Sequence, residues 1–251
     1  MTTPDRPAPP EPARPVVTLA AITAATRALL ATAEEFDDGD VRAPSLLPGW
    51  TRGHVLTHVA RNADGGTRLL TWARTGVESY EYPSMEARAA EIDAGAGRPA
   101  AELVADVRDS ARRFADAYAL MPGSAPSGEG WARTVQWTSG ARHPAARAAD
   151  ARLTEVLVHH VDLDAGFMPR DWPAAFTSRT LDGVVASFAR RADAPRLLLL
   201  ATDTGRDLGE GEDDGVVTVT GPEASLLAWL MGRSGGDDLT GAEGVTLPFL
   251  Y

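Results

Sequence analysis

Glu155 and His159, in ARLTEVLVHHVDLDAG, stand four residues apart. On a helix such a pair leaves one face a turn apart, where both side chains could grip one metal ion. A distant His58, in GWTRGHVLTHVARNADGG, would complete a set of two histidines and one glutamate. Catalytic zinc commonly takes such a set and keeps a fourth position open for chemistry. The spacing leaves other choices. His54 and His58 are also at i and i+4 and could bind a metal without Glu155, although a capping or core histidine satisfied by backbone is the plainer reading of His54. Glu155 and His159 could equally form a hydrogen-bonded surface pair worth about 0.2–0.5 kcal/mol. Against that, Leu153, Val156 and Leu157 flank Glu155, and a carboxylate turned inward without a partner is costly.

The neighbouring polar residues carry weaker signals. His160 points roughly 100° away from His159 on the same helix, and His143 sits just before a proline. Asp162 and Asp164 could accept hydrogen bonds from a ligating imidazole or lie solvated at a helix end. Arg152, three residues before Glu155, is expected to form an ordinary i,i+3 ion pair with it. Arg233, in WLMGRSGG, follows a helix whose terminal carbonyls a guanidinium would stabilise.

These residues need helices to position them. Apolar residues at helical spacing predict a first helix over 18–35, stopped by the polar turn FDDGD. LLPGW then supplies Pro and Gly before Thr51, which is placed to cap a second helix running through His54 and His58 to about residue 74. A third is predicted over 99–121, before the breaker PGSAPSGEG, and a fourth over 144–165. Four amphipathic helices with one long connection read as a four-helix bundle, a fold that builds metal sites from inward-facing side chains on different helices.

Beyond GFMPRDWP the pattern changes. A helix over 174–191 is followed by RLLLLATD and GVVTVTG, which read as strands. The acidic connector TGRDLGEGEDDG between them reads as a solvated hairpin loop; its carboxylates do not follow EF-hand spacing. PEASLLAWLMGR gives one more helix, with proline at its start. The expected organisation is therefore a disordered Pro-rich leader over 1–16, a metal-binding bundle over 17–168 and a smaller α/β domain over 169–251.

The whole chain has 251 residues, 44% of them hydrophobic, enough for real cores without disulfides. It contains no cysteine, which fits a reducing cytoplasm and removes any protein thiol as nucleophile or metal ligand. A thiol that acts here must be brought by another molecule. The net charge of −11 disfavours nucleic acid and anionic membranes as partners, while a small anionic substrate needs local arginines. No apolar run approaches the roughly 20 residues that span a bilayer, and the N-terminus lacks a signal-peptide core. A cytoplasmic protein, monomeric or a small homo-oligomer, is expected. There is no P-loop, HExxH, CxxC pair or GxSxG pattern.

Three blocks, LPGWTRGHVLTHVARNADG, RLTEVLVHHVDLDAG and GPEASLLAWLMGRSGG, resemble the mycothiol-dependent maleylpyruvate isomerase family, within the wider DinB-like metalloenzyme superfamily. The resemblance covers nearly everything after the leader. It implies an α+β fold, with an N-terminal DinB-like four-helix bundle and a smaller C-terminal α/β domain. It selects His58, Glu155 and His159 as metal ligands and Arg233 as the arginine needed for activity. The implied cofactors are zinc and mycothiol. The implied reaction is isomerisation of maleylpyruvate to fumarylpyruvate by reversible thiolate addition, as used in gentisate degradation. Related proteins keep the bundle for other ends, so two alternatives stand beside it: a small-thiol S-transferase acting on a different electrophile, and a non-enzymatic metal-binding regulator.

Overall fold

The computed structural model describes residues 15–122, 130–209, 211 and 214–248. Most of the expected leader, residues 123–129 of the breaker, and Glu210, Glu212 and Asp213 of the acidic connector lie outside the described residues. The chain divides into two compact units, Met1–Leu163 and Asp164–Tyr251.

The first unit is helical. Helix α1 (Leu19–Ala33) starts where the Thr18 hydroxyl accepts from Ala21 N–H. Helix α2 (Arg52–Thr75) starts at Thr51 in a reciprocal cap: Thr51 Oγ1 accepts from His54 N–H, and His54 Nδ1 accepts from Thr51 N–H. Helix α2 ends at Gly76, in the left-handed conformation open to glycine. Helix α3 (Met85–Ala96) follows, capped by the Ser84 hydroxyl, then α4 (Ala100–Ala119) and α5 (Ala146–Asp162). Helices α1, α2, α4 and α5 form the expected bundle. In it α2 packs on α4 and α5, and α1 packs on the same two. Leu29, Leu56, Val59, Leu103, Phe114 and Val156 fill its interior.

Two elements of this unit have no counterpart in the sequence-based expectation. Helix α3 lies against α2 but buries little beyond Ile92 and Ala96, so it carries no strong apolar stripe. It approaches α2 closely because residue 53 is glycine; a Cβ there would lie 2.2 Å from Ala96 O. Strands β1 (Thr134–Gln136) and β2 (Arg142–Pro144) form a small antiparallel hairpin, with Val135 opposite His143.

The second unit holds α6 (Ala174–Phe188), β3 (Leu197–Ala201), β4 (Asp207–Gly209), β5 (Val217–Gly221) and α7 (Glu223–Leu230). Here the hairpin expectation is corrected. Strands β3 and β5 pair in parallel, and β4, which lies inside the supposed loop, pairs antiparallel to β3 on its other side, in the order β4-β3-β5. The reason is visible in β3. Leu197, Leu198 and Leu199 are all buried, as befits a central strand covered on both faces and flanked on both edges. Helix α7 stops three residues short of Arg233; Gly232, at φ +70°, follows it. No helix among the described residues is long and apolar enough to cross a membrane.

Candidate metal centre

The end of α5 is tied to the segment that leads into α2. Leu46 N–H donates to Asp162 O at 2.9 Å, and Arg52 Nε donates to Leu163 O at 2.7 Å. This brings His58, in the second turn of α2, against the Glu155 and His159 face of α5. His58 Nε2 lies 2.9 Å and His159 Nε2 3.3 Å from the same oxygen, Glu155 Oε2. The two rings stand perpendicular, with centroids 4.5 Å apart. One donor atom from each of the three residues falls within 4.8 Å of the others. The side chains of His58 and His159 are 5% and 12% exposed, whereas Glu155 keeps 29%, so the carboxylate side of the cluster remains approachable. The edge of Trp50 covers His58, with ring centroids 5.7 Å apart.

The hydrogen bonds behind the rings decide which nitrogens are bare. Asp162, wholly buried, accepts from His159 Nδ1 at 2.8 Å. A neutral His159 therefore turns an unprotonated Nε2 toward Glu155 Oε2, acceptor against acceptor. That contact is repulsive unless a cation sits at it. In the metal-free chain a proton serves. Burial pulls His159 down, but hydrogen bonds to Asp162 and Glu155 outweigh it and hold its pKa above the usual value. Burial alone would likewise push the Glu155 carboxyl up, yet hydrogen bonds from His159 and His58 hold it well below the carboxylate range. His58 moves the other way. Burial first, then the neighbouring His159 charge, bring it down to about 4, so it is neutral near pH 7. Two imidazoles and a carboxylate suit zinc better than the hard cations magnesium or calcium. The acceptor-to-acceptor contact is the feature that a divalent ion at this place would satisfy.

His58 carries its proton differently. Arg88 Nη2, from α3, lies 3.1 Å from His58 Nδ1. A guanidinium only donates, so Nδ1 accepts and the ring proton is on Nε2, donated to Glu155.

Other candidates separate cleanly. His54 is a helix cap and stands outside the cluster. Buried His160 meets Thr32 Oγ1 at 2.8 Å, and His143 packs on Trp137. Of the two aspartates, Asp162 reaches a ring, while Asp164 is exposed at φ 50°. The expected ion pair between Arg152 and Glu155 is not formed: Arg152 is buried and turned across the bundle, where Nη1 donates to Val59 O at 2.9 Å and Asn62 Oδ1 at 2.7 Å. Its burial brings the guanidinium down to about 10. Arg233 belongs to the second unit. Its N–H donates to Ala228 O and its Nη1 to Met231 O, each at 2.8 Å, so it does serve carbonyls at the end of α7. Sequence reasoning missed Arg88 and Trp50. Trp50 could have been noticed as an aromatic residue just before the Thr51 cap; Arg88 lies in the unforeseen helix and has no informative spacing to the ligands.

Comparison with known proteins agrees with this geometry. The family model described as mycothiol maleylpyruvate isomerase N-terminal domain matches residues 22–164, and the one described as MDMPI C-terminal domain matches residues 171–247. No curated protein sequence matches the chain. Among solved structures, the chain is similar to the crystal structure of the mycothiol-dependent maleylpyruvate isomerase, with a TM-score of 0.82, 26% identity, and coverage of 92% of this chain and 95% of that one. A histidine-to-alanine mutant of that enzyme matches with the same TM-score, identity and coverage.

Proposed function

The chain belongs to the mycothiol-dependent maleylpyruvate isomerase family, and from that premise we propose that it converts maleylpyruvate to fumarylpyruvate using zinc and mycothiol. The observation that carries the metal reading is the contact between His159 Nε2 and Glu155 Oε2 at 3.3 Å, with Asp162 fixing the ring proton on the far side. His58, Glu155 and His159 would hold the ion. When bound, zinc would supply an open position that lowers the pKa of a thiol, and the thiol would supply the nucleophile this cysteine-free chain lacks, adding across the cis double bond and leaving after rotation about the resulting single bond.

The chain's own part is to hold and to shield. Asp162 keeps the His159 ring in one orientation and one tautomer. Trp50, against His58, limits water on that side of the cluster. Maleylpyruvate is a dianion and the protein is acidic, so a local guanidinium is required. The family resemblance gives that part to Arg233, whose guanidinium suits a carboxylate in the bidentate geometry that arginine provides.

The test is to follow loss of maleylpyruvate and appearance of fumarylpyruvate with purified zinc-loaded protein, with and without mycothiol. Turnover that requires mycothiol and returns it intact is the expected result. A stable thioether product would instead make the protein a thiol transferase, and absence of any thiol-dependent reaction would overturn the reading.

A further inference from the structure

Arg88 is a cation placed at a metal-binding histidine, and among the described residues no carboxylate pairs with it. Its hydrogen-bond partner is His58 Nδ1, at 3.1 Å. Its guanidinium carbon lies 5.9 Å from the centre of the Tyr82 ring. The Glu81 carboxylate feels the charge of Arg88, but it accepts its hydrogen bond from Thr138 N–H, at 3.3 Å. Tyr82 is 5% exposed, and its hydroxyl is buried without a hydrogen-bond partner among the described residues. The electrostatic environment of that hydroxyl includes both Arg88 and Glu155. A partly buried guanidinium without a carboxylate partner thus stands at the cluster on the α3 side, over the ring of Tyr82.

The contact with His58 holds only while the ring keeps its proton on Nε2. A histidine that gives its Nε2 lone pair to a metal carries its proton on Nδ1 instead. That Nδ1–H would then face Arg88 N–H, donor against donor. Keeping Arg88 in place would require His58 to lose both ring protons. Ligation by His58 therefore releases the guanidinium at the edge of the metal centre.

Resting on the function proposed above, we propose that Arg88 forms an anion subsite that binds one carboxylate of the dianionic substrate, and that metal ligation by His58 frees it to do so. Arg88 is thereby a substrate-binding residue, not a support for the metal. In the metal-free chain His58 Nδ1 holds one of the five N–H donors of Arg88, so the subsite is fully available only once the metal is bound.

The experiment compares wild type with Arg88→Ala and Arg88→Lys in three measurements. First, metal-free proteins are titrated with zinc against a competing chelator. The Arg88→Ala protein is expected to bind zinc at least as tightly as wild type, because the competing hydrogen bond to Nδ1 is gone. A tenfold or greater loss of zinc affinity would make Arg88 a prop for His58 and overturn the proposal. Second, binding of maleate, a cis-dicarboxylate, to the zinc-loaded proteins is measured by calorimetry without any thiol. A charge-assisted pair lost from a sheltered site predicts roughly 10- to 100-fold weaker binding by Arg88→Ala, with Arg88→Lys in between. Equal affinity in wild type and Arg88→Ala, or no binding of maleate by zinc-loaded wild type, would refute the subsite. Third, where maleylpyruvate turns over, KM for it should rise in Arg88→Ala while KM for mycothiol stays put; an unchanged KM for maleylpyruvate refutes the subsite and leaves the isomerase standing. If maleylpyruvate does not turn over while maleate binding still depends on Arg88, the isomerase reading fails and the anion subsite stands.

Discussion

Asp162→Asn isolates what the buried carboxylate does for the metal centre. The substitution keeps the shape, and the backbone carbonyl of residue 162 still accepts from Leu46 N–H at 2.9 Å, so the tie between the end of α5 and the segment before α2 survives. What is lost is the negative end of the 2.8 Å contact with His159 Nδ1, at a side chain with no exposed surface to screen it. A hydrogen bond to a charged group contributes about 1.5–3 kcal/mol and a neutral one about 0.5–1.5 kcal/mol. The difference, about 1–1.5 kcal/mol, corresponds to a roughly 5- to 13-fold weaker hold on the metal. If the amide turns its NH₂ toward Nδ1, the ring loses its fixed tautomer, and the deficit approaches the roughly 100-fold upper range for losses of such supporting partners. The assay is titration of metal-free protein with zinc against a chelator of known affinity at mildly alkaline pH, alongside a thermal midpoint for the metal-free form. Zinc affinity within twofold of wild type, with an unchanged midpoint, would refute the argument that Asp162 sets His159 for ligation.

Three further outcomes are expected. His58→Ala and Glu155→Ala should each purify with little zinc, as read by metal analysis, and a normal metal content in either would mean the ligand set is wrong. Arg233→Ala should keep its zinc and lose most turnover; because Nη1 also serves Met231 O, a small drop in thermal midpoint is expected as well, and wild-type activity would remove Arg233 from the mechanism. Gly53→Ala should destabilise the first unit by about 1–3 kcal/mol, the usual cost of overpacking, since the added methyl would lie 2.2 Å from the backbone oxygen of Ala96; urea denaturation measures it, and an unchanged midpoint would show that α3 yields freely.

The features read correctly from sequence are those set by local chemistry. Thr51 ahead of a helical apolar pattern fixed where α2 begins, and the i,i+4 relation of Glu155 and His159 put both on one face whatever the rest of the chain did. The choice between His54 and His58 was beyond spacing, because it depends on which side of α2 meets α5; the resemblance chose His58, and the structure shows His54 spent on the cap. The role of Asp162 was half legible. It stands three residues after His159, on the same face, whereas Asp164 lies past the helix end. Arg152 misled because i,i+3 spacing allows an ion pair but cannot show that a side chain turns inward to Val59 and Asn62. The sheet order was hidden for a similar reason. A three-residue strand such as β4 has almost no pattern of its own, and parallel pairing of β3 with β5 is decided by long-range burial. Helix α3 was lost because only Ile92 and Ala96 mark a buried face, and Arg88 was lost with it.

The contact between His58 and Glu155 joins positions 97 residues apart in the chain. An ion held between them is a reversible cross-link that fastens α2 to α5. No short fragment of the polypeptide can present all three ligands, so tight binding is confined to a chain that has already closed the bundle. Binding confined to the folded state stabilises it by mass action, about 4 kcal/mol when free metal exceeds its dissociation constant a thousandfold. Metal supply would then set how long the protein survives proteolysis as well as how much of it is active. Depletion would lower the abundance of the molecule as well as its activity, where a ligand set drawn from a single helix would lower activity alone.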